Sequence, residues 1–243
     1  KTKDFRPLDF QTKYRLVNRY HALKMIHCPK EKSDIKHALR HLKYEEFLKF
    51  QLMMNYMHTQ KSEAIGLQKV FSQEAVQYFI KHLPFALTQD QQTTCDEILA
   101  DLQGDKLMNR LVQGDVGSGK TVVGVIAMYA NYLAGYQSAL MAPTEILAKQ
   151  HYQNLIHYFE AYDIKLGLLI GSMTNKEKEQ MYEALESGEI DMVIGTHALI
   201  QSKVAFHRLG LVIADEQHRF GVKQRQNLKT KGQRVDMLLM SAT

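Results

Sequence analysis

Residues 110–123 read Arg-Leu-Val-Gln-Gly-Asp-Val-Gly-Ser-Gly-Lys-Thr-Val-Val, and the octamer from Gly114 to Thr121 fits the phosphate-loop pattern G-x-x-x-x-G-K-[ST]. Its flanks suit the pattern: Arg110 to Gln113 reads as a short strand, and Val122 to Leu133 as an apolar helix. The glycines at 114, 117 and 119 let backbone pass close to phosphate oxygens, because no Cβ intervenes or forbids positive φ. With Asp115, Val116 and Ser118 they form a loop whose N–H groups meet an anion at the positive end of a helix dipole. Lys120 is expected to hold the β- and γ-phosphates of a nucleotide, and Thr121 to ligate Mg²⁺. A chance Gly-rich turn is the bland alternative, and the complete octamer between strand and helix argues against it.

Around the loop, short aliphatic runs alternate with helical stretches. The runs at 111–113, 138–142, 165–170, 191–194, 211–214 and 237–240 suit buried strands. Helical patterns at 122–133, 145–159 and 176–185 separate most of them. The expected fold is α/β, a parallel sheet flanked by helices with ligands at the carboxyl ends of the strands. One such end is Leu211-Val212-Ile213-Ala214-Asp215-Glu216-Gln217-His218. Phosphoryl transfer needs one acidic group near Mg²⁺ and another to orient or deprotonate water, roles that suit Asp215 and Glu216.

The first third of the chain is different. Residues 1–84 carry 16 Lys and Arg against 8 Asp and Glu, whereas the remainder is net acidic, an asymmetry that suits either a polyanion partner or a solvated helix surface. Ser33-Asp34 reads as an N-cap for a helix to about residue 60, and Ile35, Leu39, Leu42, Phe47, Phe50, Met54 and Met57 recur at helical spacing, as for core packing. A second helix is expected over 71–83, before Pro84. The two cysteines, Cys28 and Cys95, are far apart and outside any C-x-x-C, which predicts no disulfide and no metal cluster. No apolar run approaches the roughly 18 residues of a membrane span. The basic run Arg219, Lys223, Arg225, Lys229, Lys231 and Arg234 reads equally as a DNA or domain contact and as a solvated loop.

In order, these motifs resemble superfamily 2 helicases of the DEAD/DExH type. Phe85-Ala86-Leu87-Thr88-Gln89-Asp90-Gln91 looks like the adenine-reading motif, Ala142-Pro143-Thr144-Glu145 like motif Ia and Gly195-Thr196-His197 like motif Ib. Asp215 to His218 looks like motif II, and Ser241-Ala242-Thr243 like motif III. The longer strings 110–123, 139–151 and 215–225, with the helical segments around 22–29 and 38–52, are similar to RecG-type helicases. The resemblance implies adenine contacts at Phe85 and Gln91, DNA-backbone contacts at Thr144, Thr196 and His197, and a link between hydrolysis and DNA at His218. It also implies a Mg²⁺ held by Thr121 and, through water, by Asp215.

On the same resemblance, residues 1–60 are expected to be a basic helical connector following a wedge domain, and 61–243 a first RecA-like motor domain. A second RecA-like domain would complete the ATP site, and the fragment alone would turn over little nucleotide. The expected partner is branched double-stranded DNA, with no membrane and a monomeric, nucleoid-associated protein of the bacterial cytoplasm. A transcription-repair coupling translocase, an RNA helicase and a nucleotide-binding docking module without motor function remain open at this point.

Overall fold

The computed structural model describes residues 8–62, 66–216, 228, 231–232 and 234–242. The chain divides into two compact units, residues 1–63 and 64–243.

The first unit is helical: α1 (Leu8–Lys13), α2 (Arg19–His27) and α3 (Lys32–Ser62). Asn18 caps α2 by accepting from the His21 N–H at 2.8 Å. Lys32, not Ser33 or Asp34, begins α3. The Asp34 carboxylate sits in its first turn and reaches back to the N–H groups of Lys30 and Glu31, at 2.9 and 3.3 Å. The apolar stripe does not form the core of this unit. Phe47 is 65% exposed and Phe50 51%, and Ile35, Leu39, Met54 and Met57 are also exposed. The packing side of α3 presents Ala38, His41 and Glu45 instead, and α2 adds Ala22. There the Glu45 carboxylate takes Arg19 at 3.0 Å, Lys49 at 2.8 Å and the His41 ring at 3.4 Å. Small and ion-paired residues pack where helices meet, and the large apolar ones face outward.

In the second unit α4 (Gln73–Lys81) and α5 (Gln89–Gln103) precede the first strand. Six strands follow: β1 (Asn109–Gln113), β2 (Gln137–Met141), β3 (Leu166–Leu169), β4 (Met192–Gly195), β5 (Leu209–Ala214) and β6 (Asp236–Ser241). They form one sheet in the order β1-β6-β5-β2-β4-β3, and every pairing is parallel. Between them run α6 (Lys120–Leu133), α7 (Glu145–Phe159), α8 (Asn175–Ser187) and a 3-10 turn at His197–Ile200.

Helices on both faces explain why β2, β4 and β5 are each buried throughout, β4 and β5 without a polar side chain and β2 with its polar residues Gln137 and Ser138 at its start. On one face, Ile194, Ile213 and Met240 meet α6 and α7. On the other, Val193, Val212 and Met237 meet α8 and the 3-10 turn. Helix α6 is buried from Val122 to Asn131, as expected of a helix apolar all round. This is the RecA-like α/β architecture, and it brings the loops after β1, β2, β4 and β5 to one rim.

At the opposite rim, Lys69 is fully buried. Its ammonium donates to the Gly210 carbonyl at 2.8 Å and pairs with Asp236 Oδ2 at 2.5 Å. Asp236 Oδ1 accepts the Met108 N–H at 2.7 Å. Burial pulls the Lys69 pKa below 10.5, against the opposing effect of the Asp236 carboxylate.

Candidate nucleotide and nucleic-acid site

The phosphate loop lies between the end of β1 and the start of α6. Gly117 and Gly119 have φ of +82° and +78°. At Gly119 the need for glycine is double, since a Cβ there would also collide with the Gln91 amide. Gly119 is the N-cap of α6, so the first N–H groups of a buried helix open into the loop. The loop is tied to the neighbouring strand by the Gly114 N–H on the Ser241 carbonyl, 3.3 Å.

Lys120 folds over this loop. Its ammonium donates to the carbonyls of Gly114 and Asp115, each at 2.6 Å, with Ser118 Oγ at 3.5 Å. These partners are all neutral, so the positive charge is fixed in place without being cancelled by its own ligands. Asp115 and Val116 lie on the exposed turn, Val116 being 89% exposed.

Across the cavity stand the two carboxylates. Asp215 follows the last residue of β5, and its N–H bonds the Met141 carbonyl at 3.0 Å, continuing the ladder one residue beyond the strand. Its Oδ1 accepts the Glu216 N–H at 2.9 Å, and its Oδ2 meets His151 Nε2 on α7, also at 2.9 Å. Glu216 has φ +48°, a left-handed backbone that costs a side chain of its type about 1–2 kcal/mol. Val116, Gly117, Gly119, Lys120, Thr121, Asp215, Glu216 and Ala242 line a cavity of about 270 Å³. A hydroxyl and two carboxylates facing a fixed ammonium are hard oxygen donors that suit Mg²⁺ shared with phosphates. Among the described residues no three His, Cys, Asp or Glu side chains converge on a metal position. A cation bound chiefly through phosphate needs no such cluster.

Gln91 does more than its sequence position suggested. Within a capping box with Thr88, its Oε1 accepts the Thr88 N–H at 2.9 Å, while its Nε2 donates to the Ser118 carbonyl at 2.9 Å. Here the amide braces the phosphate loop. Phe85 is 43% exposed, with its ring set edgewise to Tyr158.

The candidate DNA contacts separate. Thr144 is exposed and caps α7, accepting the Leu147 N–H at 3.3 Å. His197 is exposed as well. Thr196 is 2% exposed, and its hydroxyl is buried without a hydrogen-bond partner among the described residues, so it does not face solvent. Glu145 locks the start of α7 by accepting the Ser172 N–H and hydroxyl at 2.9 and 2.6 Å, which holds its pKa below 4.5. Gln217, His218, Thr243 and most of the basic run lie outside the described residues. Lys231 is described, and its ammonium donates to the carbonyls of Gln201 and Val204 at 2.6 and 2.7 Å.

Sequence reading passed over His151. The available signal was its position: Ala148, His151, Leu155 and Phe159 form the buried stripe of α7, and a histidine among them is the polar exception.

A parallel sheet with a phosphate loop and an Asp-Glu pair at its carboxyl rim defines a RecA-like P-loop nucleotide-using domain. Residues 88–243 match the DEAD/DEAH box helicase family, and the chain belongs to that family. It is 49% identical over 238 residues to the ATP-dependent DNA helicase RecG of Bacillus subtilis, covering 98% of this chain and 35% of that protein. The RecG of Thermotoga maritima is 46% identical over 241 residues, 99% of this chain and 31% of the relative. A solved structure of RecG bound to a three-way DNA junction is similar over 99% of this chain, with a TM-score of 0.81 and 44% identity. The chain therefore spans about a third of the length of these relatives. Among the described residues no helix is long and apolar enough to cross a membrane.

Proposed function

We propose that this chain is the connector and first motor domain of an ATP-driven translocase that moves on double-stranded DNA and remodels branches, by fork regression and Holliday-junction migration. The supporting observation is the convergence on one rim of the phosphate loop, the Asp215-Glu216 pair and the exposed start of α7, in a chain similar to RecG throughout. Residues 1–60 form the basic connector and 61–243 the motor domain. A wedge domain and a second RecA-like domain of the same polypeptide complete the machine, which acts as a monomer in the bacterial nucleoid.

At the rim, an entering triphosphate takes over the hydrogen bonds that Lys120 makes to its own loop, and the N–H groups of residues 115–121 wrap the phosphate oxygens. Thr121 and Asp215 would hold Mg²⁺, whose chemistry is to neutralise charge that develops on the phosphates. Glu216, turned by its left-handed backbone, orients the attacking water and accepts its proton. The first N–H groups of α7 beside Thr144, and His197, face the DNA backbone.

The test is ATP turnover by the intact protein with forked DNA, linear duplex and RNA at one salt concentration, because backbone binding is steeply salt-dependent. Strong stimulation by forks, lost in Lys120→Ala, is the expected result. Preference for RNA would identify an RNA helicase instead, and equal stimulation by fork and linear duplex a translocase of the transcription-repair type. Indifference to every polymer would leave a nucleotide-binding docking module.

A further inference from the structure

His151 lies about two turns into α7, 6% exposed, among apolar neighbours of the buried stripe. Its Nε2 is 2.9 Å from Asp215 Oδ2, and its Nδ1 is buried without a hydrogen-bond partner among the described residues. A carboxylate only accepts, so the proton of this bond sits on Nε2, and Nδ1 is left without a partner. Leaving a buried ring nitrogen unpaired works against stability, and an apolar side chain would fill the same stripe without that penalty. Packing therefore does not account for a histidine here. The bond to Asp215 does.

That bond has a particular mechanical setting. One oxygen of Asp215 is held by the next peptide, at Glu216, and the other by a different element, α7. The start of α7 is fixed by the Thr144 cap and by Glu145 on Ser172. His151 is seven positions along from Thr144, a helical span of roughly 10 Å. The exposed start of α7 and the Asp215 carboxylate are thus linked by one helix segment and one hydrogen bond.

We propose that His151 is a positioning residue that couples the start of α7 to the Asp215 carboxylate, so that a nucleic-acid backbone bound at Thr144 sets the geometry in which Asp215 receives the nucleotide-bound divalent cation. This rests on the function proposed above. Hydrogen-bond partners of metal-binding carboxylates commonly change metal affinity or activity 10–100-fold when removed.

The experiment uses the intact protein with His151→Leu, His151→Gln and His151→Asn. Glutamine places an amide N–H near the depth of Nε2, whereas asparagine stops one carbon short. The first readout is Mn²⁺ affinity of the protein loaded with a non-hydrolysable ATP analogue, with and without forked DNA. The second is kcat and KM for ATP at saturating DNA. In the parent protein DNA tightens Mn²⁺. In His151→Leu that gain disappears, Mn²⁺ binds about 10-fold more weakly and kcat falls about 10–100-fold with KM for ATP within about twofold. Glutamine restores most of both effects and asparagine does not. Parent-like Mn²⁺ affinity and DNA response in His151→Leu overturn the proposal. So does an equal loss in all three variants, which would mark a packing role; because glutamine and asparagine both keep a polar side chain, their contrast decides even if leucine fails to fold. A parent protein whose turnover no DNA stimulates defeats the translocase reading and the coupling with it. DNA-stimulated turnover that survives intact in His151→Leu defeats the coupling alone.

Discussion

The two rims of the sheet use the same side chains to opposite ends. At the amino rim, Lys69 and Asp236 pair directly in a buried site, and Asp236 adds the Met108 N–H on its second oxygen. Gln137 beside them spends its Nε2 on the carbonyls of Leu185 and Ile190 and its Oε1 on the Arg208 N–H. At the carboxyl rim, Lys120 is held by carbonyls, so it is oriented without meeting an opposite charge in those bonds, and Asp215 is held by the Glu216 N–H and the His151 ring. A lysine closed on a carboxylate is architecture. A lysine closed on its own carbonyls is a binding group held ready, because carbonyl bonds exchange for phosphate at far lower cost than a buried ion pair breaks.

That contrast can be broken most forcefully at the amino rim. Lys69→Ala leaves Asp236 buried without its cation and is expected to lower the unfolding free energy by about 3–5 kcal/mol. Denaturant unfolding reads this directly, and a loss below about 1 kcal/mol would deny the pair its structural role. Replacing both partners by apolar residues of similar size should recover most of the loss. At the carboxyl rim the larger effect is on chemistry. Glu216→Gln should cut DNA-stimulated turnover at least about 100-fold, equivalent to about 2.7 kcal/mol, with nucleotide affinity within about twofold. Unchanged turnover would remove Glu216 from the mechanism. Thr144→Ala should cost about 1 kcal/mol through loss of the α7 cap, measured by thermal unfolding. The smallest effect concerns acid. Glu145 has its pKa lowered by Ser172, so the stability it adds is present above 4.5 and fades as pH falls through its lower folded value. Melting temperatures of the parent and Glu145→Gln should therefore differ at neutral pH and converge in acid. A gap that persists in acid would assign the contact to shape rather than charge.

The sheet was legible because its central strands are largely aliphatic runs buried on both faces, and the phosphate loop because its spacing is dictated by backbone approach to an anion. Asp215 and Glu216 were legible from four apolar residues running into two carboxylates. Helix α5 was missed because its Gln-Asp-Gln-Gln-Thr-Thr start is polar on every side; the Thr88–Gln91 capping box and the apolar stripe Cys95, Ile98, Leu99 and Leu102 in its second half mark it. Reading the α3 stripe as core failed for a related reason. Periodicity reports which residues share a face, whereas Ala38, His41 and Glu45 are buried because a small residue and an ion-paired cluster let α2 approach. The burial of the Thr196 hydroxyl and the bond from His151 to Asp215 depend on elements distant in the chain; the stripe of α7 marks His151 as its polar exception without naming its partner.

The pairing of β1 with β6 also has a consequence for biogenesis. Strand β1 stands at an edge of the sheet with β6 as its neighbour, so Asn109–Gln113 aligns with residues more than 120 positions later, at 237–241. On a ribosome β1 and the loop after it emerge more than 120 residues before the strand that fixes them. Long-range parallel pairing of this kind is slow and leaves apolar edges open while it waits. The phosphate loop therefore gains its bond from Gly114 to Ser241 only after a separation of more than 120 residues has been synthesised.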